Sequence, residues 1–285
     1  MDNAQSQREA LGAEIERELA NGNLSFPTFL EVSQKIQKTL EREDAGLDAL
    51  VPLIQLEPVL AARVVGLANS VLYASSGNPV KDVKSAVMRI GHAALRCLAL
   101  AVATAQLAHG ERLGSARRYA TLLWDHSLDV AGWAYAISAT FRTVRPDDAM
   151  LAGMLHDIGQ FYLLGKAADY PALLDSESEL SDMLLCWHKP IGEAVLKALG
   201  MAPELADAVN DRELYGSMWP PANLPDVLMV ANLLADTPNP LTLMSEDART
   251  SLRKVVAHGI PEDVLEQLHL DAADERRKAL AALGG

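Results

Sequence analysis

Apolar residues along this chain recur at intervals of three and four, and no stretch alternates over the length of a strand. That period places them on one face of a helix. Leu11, Ile15 and Leu19 set the first stripe, with Glu18 beside them, in a helix predicted over 6–22 that Asn21-Gly22-Asn23 stops. A second helix is expected over 27–40, opening at Pro27, with Phe29, Leu30, Ile36 and Leu40 inward. After the polar turn from Glu41 to Gly46, a helix pair is predicted over 47–55 and 58–68, where Pro58 suits the first turn of the second member. Asn69 and Ser70 end that helix, and Ala74 to Pro79 reads as a loop. Asp82 is placed to cap a short helix over 83–90, and Gly91 leads into a long apolar one over 92–108. The polar run from Gly110 to Ser115 is the first good boundary.

The second half resumes with a helix over about 116–140 that carries Trp124, His126 and Trp133. Asp147 or Asp148 is predicted to cap the next helix, which carries Leu151, Leu155, His156 and Asp157, and an apolar stretch continues to Leu164. Helix is expected over 180–199 with an interruption at Lys189-Pro190, then over 204–214 and 226–235, with an irregular Gly216–Pro225 connection between those two. A final pair spans about 246–257 and 261–283. The fold class that follows is all-α, in two helical subdomains.

Composition narrows the partners. With 285 residues, 49% of them hydrophobic, the chain can bury a sizeable core. A net charge of -13 disfavours sequence-independent binding to phosphate backbones, so no nucleic-acid partner is expected. Cys97 and Cys186 both lie in apolar helical sequence and read as buried, reduced thiols. The N-terminus lacks an apolar signal region, and the longest apolar run, Ala93 to Ala108, contains Arg96 and Gln106 and is short for a bilayer. The expectation is a soluble cytoplasmic protein without a membrane partner. Gly-rich phosphate loops, GxSxG and CxxC are absent from the sequence.

The chemistry concentrates at Met154-Leu155-His156-Asp157-Ile158-Gly159, with His126 thirty positions upstream. A histidine next to an aspartate offers one nitrogen and one oxygen ligand, and the apolar flanks predict burial, where a carboxylate needs a partner. His126, His156 and Asp157 suit Zn, Fe or Mn. The same trio also makes a metal-free hydrogen-bonded network, and spacing does not separate the two. His188 either caps a helix break or approaches the same pocket. Asn232, on an apolar helix, requires hydrogen-bond partners. Asn69 and Ser70 serve either as a helix stop or as a polar lock between subdomains. His92, His109, His258 and His269 belong to no constellation.

Over about residues 24–235 the chain resembles the HDOD proteins, bacterial output domains related to the HD-type metal phosphohydrolases. The resemblance rests on Phe26-Pro27, on Leu56-Glu57-Pro58-Val59-Leu60-Ala61-Ala62-Arg63-Val64-Val65 ahead of Leu67-Ala68-Asn69-Ser70-Val71-Leu72-Tyr73, and on Val83 to Gly91. It continues in Leu123-Trp124-Asp125-His126-Ser127, in Leu151 to Gly159, and in His188 with Gly192. It implies an HD-like helical fold divided into 24–112 and 113–235, with a helical extension before it over 1–23 and another after it over 236–285. It implies a signalling or regulatory module that binds signalling proteins. A nucleotide second messenger is a further candidate ligand.

Carried over residue by residue, the resemblance makes His126 the first metal ligand and His156-Asp157 the central pair. The late aspartate ligand falls at Asn232, a neutral residue that binds divalent ions far less well. His188 matches one of the extra histidines of the HD-GYP relatives, but Val209-Asn210-Asp211-Arg212 carries none, and the Gly-Tyr-Pro signature is missing. The expectation is a non-catalytic module with a degenerate site, and no cofactor beyond a single divalent Fe, Mn or Zn ion. The alternative is a metal-dependent phosphohydrolase acting on a nucleotide or cyclic dinucleotide. Oligomeric state stays open, because the N-terminal helix suits its own core and a second copy equally.

Overall fold

The computed structural model describes residues 3–22, 24, 28–42, 46–70, 73, 79–109, 111–199, 201, 203–211, 219–242 and 244–283. Every regular element among them is helical, so the fold is all-α. Phe26-Pro27, residues 74–78 of the Ala74–Pro79 loop, Arg212 and residues 216–218 of the 216–225 connection lie outside the described residues.

The first four helices are α1 (Asn3–Asn21), α2 (Thr28–Leu40), α3 (Leu47–Gln55) and α4 (Pro58–Ala68). The α3–α4 pair has the bounds that the apolar period predicts. Its junction is set by Glu57, whose carboxylate accepts from the Leu60 N–H while Pro58 occupies a position that needs no donor. Asp82 caps the next helix by accepting from the Ser85 N–H at 2.8 Å. That helix, α5 (Val83–His109), runs past Gly91, which takes φ 79° and kinks it. The break expected at Gly91 is present, since its backbone leaves the helical region there with φ 79° and ψ 172°. Counted across that break, Val83–His109 is long and apolar enough to cross a bilayer, and 56% of its most apolar window is buried inside the protein.

Burial explains the place of α5. Val32, Ile36, Leu50, Ile54, Leu60 and Val64 form one apolar cluster with Leu95, Leu98 and Val102 of α5. Leu100, Ala103 and Leu107, further along α5, belong to a second, larger cluster. One helix thus walls both cores. Each fully buried Leu or Ile contributes about 1.5–3 kcal/mol of transfer free energy.

A short 3-10 turn (Glu111–Ala116) leads into α6 (Arg117–Phe141), the central helix of the second cluster. Then come α7 (Pro146–Leu155), α8 (Ile158–Ala167), the single turn α9 (Pro171–Leu174) and α10 (Glu177–Ala198). Arg145 is the N-cap of α7 and Pro146 its first residue, so Asp147 and Asp148 sit in the first turn instead of capping it. The interruption expected at Lys189-Pro190 does not occur: α10 continues through Pro190. Buried Met183 and Leu184 before the proline, and Ile191 and Val195 after it, keep both halves docked against its cost of about 3 kcal/mol. The chain ends with α11 (Pro203–Asp211), α12 (Leu224–Leu234), α13 (Glu246–His258) and α14 (Glu262–Leu283).

Both end helices pack on this body. From α1, Leu11 and Ile15 are fully buried in the second cluster. Glu14 and Glu18 both meet Lys166 of α8 at 2.6 Å, and Arg8 reaches Glu179 and Asp182 of α10. From α14, Leu268 and Ala272 are buried in the cluster that α6 centres. Cys97 is largely buried, but Cys186 is exposed, on the outer face of α10, which corrects the expectation of two buried thiols.

Candidate metal centre

Three elements deliver the trio. His126 points from the middle of α6, His156 ends α7, and Asp157 is the N-cap of α8. The tight α7–α8 corner exists because Gly159 lets α8 cross α10: a Cβ there would collide with the His188 carbonyl oxygen. Imidazole nitrogens of His126 and His156 and a carboxylate oxygen of Asp157 all lie within 4.8 Å of one another, and all three side chains are buried. Nε2 of His156 is 2.9 Å from Oδ2 of Asp157, and Nε2 of His126 is 3.7 Å from the same oxygen. The two Nε2 atoms are 3.2 Å apart.

The outer partners settle which atoms face inward. Nδ1 of His126 donates to the Thr237 carbonyl at 2.7 Å, and Nδ1 of His156 donates to the Gly153 carbonyl at 2.6 Å. A carbonyl only accepts, so each Nδ1 carries a proton, and each ring in its neutral form presents the lone pair of Nε2 toward Asp157. In that form three lone-pair donors converge on one point. This is the tautomer and orientation that metal-ligating histidines adopt, and the residues fit a divalent ion of the Zn, Fe or Mn class.

Around the trio stand residues that sequence reasoning missed. Asn239 donates from Nδ2 to Asp157 Oδ2 at 2.8 Å and to Gln160 Oε1 at 3.2 Å. Gln160 donates in turn to Asp157 Oδ1 at 3.4 Å. Asp129 accepts from the Thr237 N–H at 2.8 Å. A signal for Asn239 was present: it stands between Pro238 and Pro240 in an interhelical turn, where asparagine commonly bonds its own backbone.

The other sequence candidates fall elsewhere. His188, half-buried on α10, donates from Nδ1 to the Leu184 carbonyl at 2.7 Å. Its backbone, not its ring, forms the close contact with Gly159. Asn232 lies half-buried on α12, while the amide that reaches Asp157 is that of Asn239. Asn69 pairs through its amide with both backbone groups of Val80, at 2.8 and 2.9 Å, and Ser70 donates to the Leu67 carbonyl. Asn69 thus locks the start of α5 to the end of α4 within the first cluster.

Comparison with known proteins agrees with this architecture. The HDOD domain profile matches residues 26–214. No curated protein matches the chain. Among solved structures, an inferred metal-dependent phosphohydrolase from Shewanella amazonensis SB2B superposes with a TM-score of 0.69 at 23% identity, covering 96% of this chain and 99% of that one. An HDOD domain protein of unknown function from Geobacter sulfurreducens superposes at 0.59 with 22% identity, over 94% of this chain and 96% of its own. An inferred signal transduction protein from Marinobacter aquaeolei VT8 gives 0.57 at 22% identity, over 100% of this chain and 66% of its own. At such identities the likeness speaks for the fold alone, whereas the profile covers most of the chain. This protein belongs to the HDOD domain family.

Proposed function

We propose that the chain is a signalling module of the HDOD type that works through protein partners, with a reduced HD-type centre able to hold one divalent ion on His126, His156 and Asp157. Family membership supports the signalling role. The observation that carries the rest is the donor set: among the described residues two imidazoles and one carboxylate converge, and the neutral amide of Asn239 stands against Asp157. A two-ion hydrolytic centre needs bridging and flanking ligands beyond these three. When bound, a divalent ion supplies Lewis-acid character and lowers the pKa of its water. The chain's own residues contribute orientation: Thr237 and Gly153 aim the rings, and Asn239 and Gln160 hold the carboxylate.

A phosphohydrolase is the second reading, favoured by the inward turn of both Nε2 atoms. One experiment separates the two. Protein purified without chelator is assayed for Fe, Mn and Zn and for turnover of bis-p-nitrophenyl phosphate and cyclic di-GMP, beside a His156→Ala/Asp157→Ala variant. The module reading expects up to one equivalent of metal, lost in the variant, with no turnover. Turnover by the wild type that the variant loses would replace it with the enzyme.

A further inference from the structure

We infer that Asn239 is the positioning residue of this centre, acting from a strap between α12 and α13 that lies beyond the residues matching the family profile. The inference rests on the one-ion reading above. The strap touches two of the three elements that carry the ligands. The Thr237 carbonyl holds the His126 ring on α6, and the Asn239 amide holds Asp157 at the head of α8.

The amide has one orientation. Asn239 Oδ1 accepts from the Leu241 N–H at 2.7 Å, so the oxygen is committed to the strap's own turn and the NH2 group must face the centre. There it meets Oδ2, the oxygen of Asp157 that also faces both Nε2 atoms, while Gln160 takes Oδ1. The Asp157 side chain has 0% exposure, so water cannot stand in for a lost donor. Proline rings at 238 and 240 restrict the backbone on either side. The strap is tied down at its base, where Arg253 pairs with Asp236 at 2.6 Å and Arg249 donates to the Ala235 carbonyl. Removing the Asn239 donor takes away a bond that holds Oδ2, so the Asp157 carboxylate can turn off the shared point.

The test is Zn²⁺ and Mn²⁺ titration of the full chain by calorimetry, with imidazole ¹⁵N spectra of the metal-free protein. Asn239→Leu removes the donor at similar volume, and Asn239→Ala replaces it if the leucine variant does not fold. Asn239→Asp keeps the Leu241 bond but exchanges donor for carboxylate. Ser245→Ala deletes the α13 cap, which accepts from the Ala248 N–H, and controls for simple destabilisation. Loss of an outer-shell partner weakens metal binding about 10–100-fold. That loss is expected for Asn239→Leu, no weakening for Asn239→Asp, which adds an anionic donor, and wild-type affinity for Ser245→Ala. Equal weakening in all three variants, or none in Asn239→Leu, overturns the inference. A wild type that binds neither ion removes the one-ion reading. Positioning then stands if Asn239→Leu displaces the His126 and His156 resonances, and is overturned if they stay in place.

Discussion

His126 and His156 meet Nε2 to Nε2 at 3.2 Å, each ring pinned through its Nδ1 to a backbone carbonyl. Neutral rings in that arrangement have no proton to share, and Asp157 adds a third acceptor beside them. With no proton on either Nε2, the contact is unfavourable until a cation enters it. Ligand binding to the folded state alone adds about 2.7 kcal/mol at a hundred times Kd. For a chain of this size that is an upward shift in Tm of about 5–10 °C. Zn²⁺ is expected to produce it and EDTA to reverse it. Asp157→Asn should abolish the shift, because an amide replaces the carboxylate ligand. A Zn²⁺ shift of wild-type size in Asp157→Asn would show that the carboxylate is not a ligand.

Gly159 and the His188 carbonyl oxygen leave no room for a side chain. The obstacle is backbone, which cannot rotate away, so Gly159→Ala should cost about 3 kcal/mol, the upper end of overpacking. Because Asp157 heads the displaced helix, metal affinity should fall in the same variant. Urea midpoints and a metal titration check both effects, and an unchanged midpoint would contradict the close crossing of α8 and α10.

Lys166 ties α1 to α8. Its hydrogen bond lowers the Glu14 pKa below the ordinary value of 4.5. Burial pulls the Lys166 pKa down, but the hydrogen bonds it donates to Glu14 and Glu18 outweigh it and leave it above 10.5. A lowered carboxylate contributes stability above its unfolded pKa that is lost as pH falls through the folded one; a raised lysine contributes below its unfolded pKa and loses it as pH rises through the folded one. The α1 anchor should therefore be flat between about pH 5 and 10 and weaken on either side. Lys166→Met should cost about 1–2 kcal/mol at pH 7, between exposed and buried pairs, and flatten the acid limb. Hydrogen exchange of α1 amides across pH reads the effect.

The two thiols should differ sharply. Burial, with Asp147 and Asp148 nearby, pushes Cys97 up to about 11, whereas Cys186 is exposed. Thiolate is the reactive form, so an aromatic disulfide reagent at pH 8 is expected to label one cysteine rapidly, and Cys186→Ser to remove that signal. Rapid labelling of both would mean that α5 opens.

Much of the fold was legible because helix boundaries are local. The three-and-four period, Pro58 after Glu57, the Asp82 cap and the kink at Gly91 each act over a single turn of chain. The Pro190 interruption was misread because a local cost was weighed without the burial of Met183, Leu184, Ile191 and Val195 that outweighs it. Asn239 escaped because its partner is 82 positions away, and the prolines beside it mark a turn without saying what the amide faces.

By itself the sequence determined the all-α class, most helix bounds and the identity of the three donors, since apolar period and residue chemistry are properties of short windows. Tertiary structure alone decided that His126 and His156 present Nε2 to one point, that Asn239 rather than Asn232 reaches Asp157, and that α1 and α14 join the core. The physical reason is range. Tautomer, ligand orientation and side-chain burial are set by groups that only folding brings within hydrogen-bond distance.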